Sequence, residues 1–348
     1  MTEPVSFLFA GGATGGHLFP GIAVAESLSG IADRIGFVGI GTELERTEAT
    51  ARGFDYFCLP AVSTADLLRR PFRSLVAAWV SLRAAVRVVR QYEPTAVIGL
   101  GGFASVPTVL AAKRLGVPVT LLEQNVIPGR ANRWLSRRAE RICLAFEESV
   151  AALPLSGNCR WTGNPVRNVT ANGVRESDRP LLLVLGGSQG SRALNSAVPA
   201  ALSKIGLTVP RWEVVHQCGA GDAEEVRSAY RAAGWTARVE PFLEVPPQWL
   251  ARAELVVARA GATTLAEIAC EGVAAVLVPY PYATDDHQRA NAGWYVDRGG
   301  ARLVEESDGF SKLVAGLADE VGTLLRSEST RRELAGAIKE LAQPDATS

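Results

Sequence analysis

The chain has 348 residues, 47% hydrophobic and 21% charged, proportions that exclude an extended disordered chain and, at this length, point to two domains of about 170 residues each. Its 36 basic and 36 acidic side chains cancel, and its five cysteines (Cys58, Cys143, Cys159, Cys218, Cys270) lie far apart without a CxxC pair or neighbouring histidines. They read as reduced, mostly buried thiols and not as a zinc site.

Taken from the N-terminus, MTEPVSFLFAGG lacks a basic stretch followed by a long apolar run, so neither a secretory signal nor a membrane anchor is expected and the chain reads as cytosolic. Apolar runs bounded by glycine then alternate with helix-length amphipathic segments, the pattern of a parallel sheet wrapped by helices. The fold class is therefore α/β. First-half strands are expected at Val5–Ala10, Ile35–Val38, Tyr56–Leu59, Ala96–Gly99, Val119–Glu123 and Arg141–Ala145.

The first strand runs into the glycine turn Gly11–Gly16, where residues without side chains would let an anion approach backbone N–H groups at a helix N-terminus. A Walker loop would require lysine where His17 stands, the turn is not GxGxxG, and Gly39 follows the second strand where a dehydrogenase would carry an acid. ATP hydrolysis and nicotinamide chemistry are correspondingly disfavoured. His17, one of three histidines, opens the following helix, whose dipole favours the neutral imidazole that could accept a proton from a sugar hydroxyl. Capping the helix or bonding within the loop is the equal alternative.

Further on, Arg69, Arg70, Arg73, Arg83, Arg87 and Arg90 fall in a stretch without an acid from Leu67 to Tyr92. Residues 1–166 carry 17 Lys and Arg against 13 Asp and Glu, the remainder 19 against 23. Arg83 and Arg87 interrupt the apolar segment Leu75–Val89, which falls short of the roughly 18 apolar residues of a spanning helix. Any membrane contact is expected to be peripheral. Leu75, Val76, Ala78, Trp79 and Leu82 among these arginines could rest on an anionic membrane surface, or the helix could be a solvated one packing its apolar stripe on the core.

Gly163–Arg167 and the polar stretch Asn168–Arg179 read as a linker, which puts the domain boundary near residue 166. Beyond it the alternation restarts, with strands expected at Pro180–Leu185, Glu213–Gln217, Arg238–Pro241, Leu255–Ala258 and Ala274–Pro279. LVLGGSQGSRALNSAVPAAL from Leu183 repeats LFAGGATGGHLFPGIAVAESL from Leu8. Two such units facing one another would create a cleft, with both glycine turns at the carboxyl ends of strands. His216 reads as structural.

Arg259–Glu267 links a strand to a helix with small residues, the hydroxyls of Thr263 and Thr264, and Glu267 placed to accept from ribose hydroxyls. Glu267 could equally be a first-turn acid complementing the helix dipole. In Asp285–Asn291 the adjacent acids and His287 suggest N-cap and sugar-hydroxyl contacts more than a metal, because no second cluster supplies further ligands.

With these residues assembled, nearly the whole chain resembles the MurG family of N-acetylglucosaminyltransferases, which convert lipid I to lipid II. The resemblance rests on GGATGGH (Gly11–His17), GLGGFASVP (Gly99–Pro107), EQN (Glu123–Asn125), GNPVR (Gly163–Arg167), GGSQGSRALN (Gly186–Asn195), GATTLAE (Gly261–Glu267) and DDHQRAN (Asp285–Asn291). It implies a GT-B fold: two Rossmann-like domains, residues 1–166 for the acceptor and the membrane, 167–348 for UDP-N-acetylglucosamine, and a last helix returning to the first domain. It also implies inversion at the anomeric carbon, with His17 the leading candidate for the base and no obligatory metal or other cofactor.

The same resemblance implies donor contacts at Thr14, Gly15, Gly16, Asn125, Arg167, Ser188, Leu243 (uracil, through its backbone), Ala262, Thr263, Thr264, Leu265, Ala266, Glu267 (ribose) and Gln288. The acceptor would be undecaprenyl-diphosphate-MurNAc-pentapeptide. The setting would be the cytoplasmic face of the membrane, with cell-wall synthesis machinery but no nucleic acid as a partner. Many members have histidine before EQN, where this chain has Leu122. A UDP-N-acetylglucosamine 2-epimerase, or another GT-B glycolipid transferase, is the alternative; TGGH and GGF argue against the epimerase.

Overall fold

The structure, a computed structural model, describes residues 4–60, 71–154, 157–167, 179–206, 212–243 and 246–347, with backbone alone for 71–74 and 246–247. Arg69, Arg70, the Arg73 side chain and most of the expected linker Asn168–Arg179 lie outside the described residues. The chain divides into two units, Met1–Arg167 with Pro344–Ser348, and Asn168–Gln343.

In the first unit the strands are β1 (Ser6–Gly11), β2 (Arg34–Gly39), β3 (Asp55–Cys58), β4 (Ala96–Gly101), β5 (Val119–Glu123), β6 (Arg141–Leu144) and β7 (Cys159–Trp161). They form one parallel sheet ordered β3-β2-β1-β4-β5-β6-β7. Alternate side chains go to opposite faces, and both faces are buried, which is why these strands are nearly continuous apolar runs. Leu8, Ala10, Val97 and Leu121 join one apolar layer with Ala85, Val89 and Tyr92 of α3 (Pro71–Tyr92) and with Val109 and Ala112 of α4 (Ser105–Arg114). Phe9, Phe37, Ile98, Leu100 and Leu122 join the other, with Leu18 and Ile22 of α1 (Gly15–Leu28) and Ala49 of α2 (Glu43–Thr50). Leu122 is thus a core residue.

The second unit holds β8 (Leu181–Leu185), β9 (Glu213–Gln217), β10 (Ala237–Glu240), β11 (Ala253–Ala258), β12 (Ala274–Leu277) and β13 (Arg302–Leu303) in the order β10-β9-β8-β11-β12-β13, again parallel. Its main core gathers Leu182, Val184, Val214, Leu255 and Val276 with Leu194 and Leu202 of α6 (Arg192–Ile205) and Leu317 and Val321 of α11 (Phe310–Arg326). β7 and β13 are edge strands too short to show an apolar run.

Both sheets therefore have the doubly wound pattern, with strand order reversing between β1 and β4 in one and between β8 and β11 in the other. The first unit runs through Arg167, one residue past the expected boundary. The last helix, α12 (Glu328–Glu340), packs on β12 and on the helix Ala262–Glu271 within the second unit. It is the tail Pro344–Ser348 that rejoins the first unit, where the Thr347 carbonyl accepts from Ser27 Oγ at 3.2 Å.

Candidate functional site

At the first switch point the turn after β1 must pass the end of β4 at close range. Gly11 has φ +117°, and a Cβ there would lie 2.1 Å from the Gly101 carbonyl oxygen, so only glycine fits. The chain then enters α1, where Gly16 is exposed and His17 half-buried. His17 Nδ1 lies 3.1 Å from Thr14 Oγ1. A Cβ at Gly101 would meet His17 Nε2 at 3.3 Å and the Asn132 amide nitrogen at 3.5 Å, so the imidazole lies over the bare carboxyl end of β4, beside Asn132.

The segment after β5 is organised by Glu123, whose carboxylate is buried. One oxygen accepts from Asn125 N (2.9 Å) and Nδ2 (3.3 Å), the other from Gly129 N (2.9 Å) and Asn132 Nδ2 (2.9 Å). Burial pushes this carboxyl above its ordinary range while the four donors pull it back. Glu123 thereby fixes Asn125 and the start of α5 (Arg130–Leu135). Arg167 belongs to this unit, its guanidinium 4.2 Å from the centroid of the Phe19 ring.

At the second switch point the turn Gly186–Gly190 leads into α6, capped by Ser191, whose hydroxyl accepts from Leu194 N at 3.2 Å. Gly190 has φ +77° and its Cβ would lie 2.1 Å from the Cys218 carbonyl oxygen, which seats the turn on the end of β9 and leaves Ser188 exposed. Across the switch, β11 ends in Arg259–Gly261 before α9 (Ala262–Glu271). Arg259 is buried, donates to the carbonyls of Val278 (3.1 Å) and Pro279 (3.2 Å) and pairs with Glu306, tying the ends of β11 and β12 together.

The N-terminal turn of α9 supplies backbone N–H groups that helix geometry leaves without intrahelical partners. Thr263 and Glu267 are buried and Leu265 fully so; Leu265 faces the core, so it can offer a ligand only its backbone. The motif Asp285–Asn291 lies against this loop. Asn291 Nδ2 donates to the Ala260 carbonyl at 3.3 Å, and Gln288 Oε1 accepts from Tyr280 N at 3.0 Å. Asp285 and Asp286 hold left-handed φ of 53° and 55° just before α10 (His287–Val296).

Family models for the glycosyltransferase family 28 N-terminal and C-terminal domains match residues 7–144 and 181–344. The UDP-N-acetylglucosamine--N-acetylmuramyl-(pentapeptide) pyrophosphoryl-undecaprenol N-acetylglucosamine transferase of Verminephrobacter eiseniae is 37% identical, covering 98% of this chain and all of the relative. The chain belongs to glycosyltransferase family 28. Among solved structures, MurG of Acinetobacter baumannii is similar at TM-score 0.77 and 33% identity, covering 99% of this chain and 97% of that one. The architecture of the family 28 chain is GT-B, with two parallel-sheet domains. A putative UDP-N-acetylglucosamine 2-epimerase of Listeria monocytogenes shares the fold at TM-score 0.74, but at 12% identity (100% and 94% covered) it speaks for the fold alone.

Within this family 28 chain the structure brings Thr14, Gly15, Gly16 and His17 together at the first switch point with Asn132 alongside, and Ser188, Ala262–Glu267 and Gln288 to the ends of β8, β11 and β12. Sequence reasoning missed Asn132 and Gln217. Gln217 ends β9 with only 4% of its surface exposed. A polar residue closing a buried apolar strand was the available signal. His216 is wholly buried between Tyr230 Oη (2.8 Å) and Asn195 Oδ1 (3.1 Å), as a structural histidine should be, and burial lowers its pKa to about 3.

Proposed function

We propose that this family 28 chain transfers N-acetylglucosamine from UDP-N-acetylglucosamine to the muramyl sugar of undecaprenyl-diphosphate-linked MurNAc-pentapeptide, with inversion. The observation that carries this reading is the near end-to-end likeness to a protein named for that reaction, which spans both glycine turns. The muramyl C4 hydroxyl attacks the anomeric carbon, UDP leaves, and a β-1,4 bond forms. His17 takes the hydroxyl proton on Nε2, with Nδ1 turned to Thr14, an arrangement that leaves a lone pair on Nε2 when Nδ1–H donates to the threonine oxygen.

Charge growing on the departing diphosphate is met by backbone N–H groups of the second glycine turn and of the first turn of α9. Ser188 and Arg167 serve the phosphate region, Glu267 the ribose, Leu243 the uracil, and Asn125 and Gln288 the remainder of the donor.

The enzyme works as a peripheral protein at the cytoplasmic membrane face. Among the described residues no helix is long and apolar enough to cross a membrane. α3 buries Ser81, Ala85, Val89 and Tyr92 but leaves Leu75, Val76, Trp79 and Val80 exposed, with Arg83 4.4 Å from the Trp79 ring centroid. A cavity of about 730 Å³ in the same unit is lined by Arg130, Arg133, Arg137 and Arg138 with Trp134 and Pro154. Apolar side chains amid arginines suit an anionic bilayer surface.

The test is incubation with labelled UDP-N-acetylglucosamine and a short-chain lipid I analogue, with and without EDTA. A β-1,4-linked disaccharide lipid is expected in both arms. Its absence from both overturns the function, and turnover abolished by EDTA overturns the metal-free chemistry.

A further inference from the structure

We propose that Gln217 is a positioning residue that couples the phosphate side of the donor site to its base side. The proposal rests on the reading of Ser188 and Leu243 as donor contacts. β9 lies between β8 and β10 in the sheet, so a side chain at its carboxyl end can reach the loops that leave both neighbours. Gln217 does so. Its Nε2 donates to the Gly187 carbonyl at 2.7 Å, and its Oε1 accepts from Leu243 N at 3.2 Å. Its own carbonyl accepts from Gly186 N at 3.3 Å.

A carbonyl partner on one side and an N–H partner on the other fix which amide atom points where. The primary amide is the side-chain group of this length that can donate in one direction and accept in the other. The backbone already joins the two extensions, through Cys218 N to the Glu240 carbonyl and Gly219 N to the Pro241 carbonyl, each at 3.0 Å. What the glutamine adds is the setting of two peptides: Gly187, next to Ser188, and Phe242–Leu243. The arm to Leu243 N is buried and the arm to the Gly187 carbonyl part-buried, where an unmatched polar group is costly, so a shift of either loop is transmitted to the other through one rigid plane.

Two substitutions separate the arms. Gln217→Met keeps the length and loses both hydrogen bonds. Gln217→Glu can still accept from Leu243 N; as the carboxylate it opposes an oxygen to the Gly187 carbonyl, whereas protonated it would donate there, so its binding is measured at high pH. Binding of UDP and of uridine is measured by calorimetry, alongside steady-state kinetics with UDP-N-acetylglucosamine and the lipid acceptor analogue. For Gln217→Met, Kd for UDP, Kd for uridine and donor KM are expected to rise by about tenfold, because both loops must then be ordered as the ligand binds. Acceptor KM and kcat at saturating donor should stay within about twofold.

For Gln217→Glu, uridine binding is expected to weaken along with UDP binding, although the Leu243 bond can still form; weakened UDP binding with unchanged uridine binding means the two arms act independently and overturns the coupling. Wild-type affinity for both ligands in the two variants, with only a lowered Tm, overturns the coupling and leaves a structural glutamine. Failure of the wild-type protein to bind UDP overturns the donor reading itself, and this inference with it.

Discussion

In the proposed reaction the two ring nitrogens of His17 have different tasks. In the tautomer whose Nδ1–H donates to Thr14 Oγ1, Nε2 is the proton acceptor, so removal of the ring should strike turnover more than donor affinity. His17→Ala is expected to lower kcat by about two to four orders of magnitude, with donor KM changed only a few-fold. A kcat within twofold of wild type would remove His17 as the base. Leu122 takes no part in this chemistry, because it lies in the apolar layer with Phe9, Ile22 and Leu100.

His216 carries a pH dependence of its own. An unfolded histidine takes up a proton below about pH 6.5, which the folded His216 refuses until about pH 3. The unfolded state therefore binds more protons through that window, and stability is lost as pH falls from 6.5. The loss is about 1.4 kcal/mol per pH unit. Urea melts between pH 5 and 6 should lose stability more steeply in wild type than in His216→Gln, the difference in slope being the His216 contribution; equal slopes would contradict it.

At the scale of elements, the glycine turns are the least tolerant parts of the molecule. Gly190→Ala would place a methyl 2.1 Å from the Cys218 carbonyl oxygen at φ +77°, and the turn must open to admit it. A loss of about 2 kcal/mol or more is expected, read as a lowered urea midpoint together with weakened UDP binding; an unchanged midpoint would show that the turn yields. On α3, a Leu75→Ser, Val76→Ser, Trp79→Ser triple variant should keep its melting temperature, since these side chains are exposed. It should lose sedimentation with anionic vesicles; undiminished sedimentation would count against the membrane-facing role.

These elements also mark what the amino-acid sequence could reveal. Buried parallel strands announce themselves as apolar runs, and the eleven expected strands each overlap one of β1–β6 or β8–β12. β7 and β13, three and two residues long at sheet edges, leave no such run. The glycine turns were legible because each must pass backbone at close range. The Glu123 and Gln217 networks were not, because their partners are fixed by which loops the sheet order brings side by side. Leu243 is 26 residues from Gln217 and Gly187 is 30.

At the scale of the whole molecule, residues 168–343 form one contiguous unit with its own core. Expressed alone, this piece is expected to fold cooperatively and to bind UDP without transferring sugar. A fragment with a cooperative melt and no affinity for UDP would count against Ser188, Leu243 and Glu267 as UDP contacts. The first unit has no such contiguous equivalent, because Pro344–Ser348 belongs to it.

A ribosome delivers that tail only after the entire second unit has emerged. The unit that begins first is therefore completed last. Shaving a handful of residues after Gln343 would be felt not in the unit that precedes them along the chain but at Ser27 of α1, whose hydroxyl partner on Thr347 is 320 residues downstream.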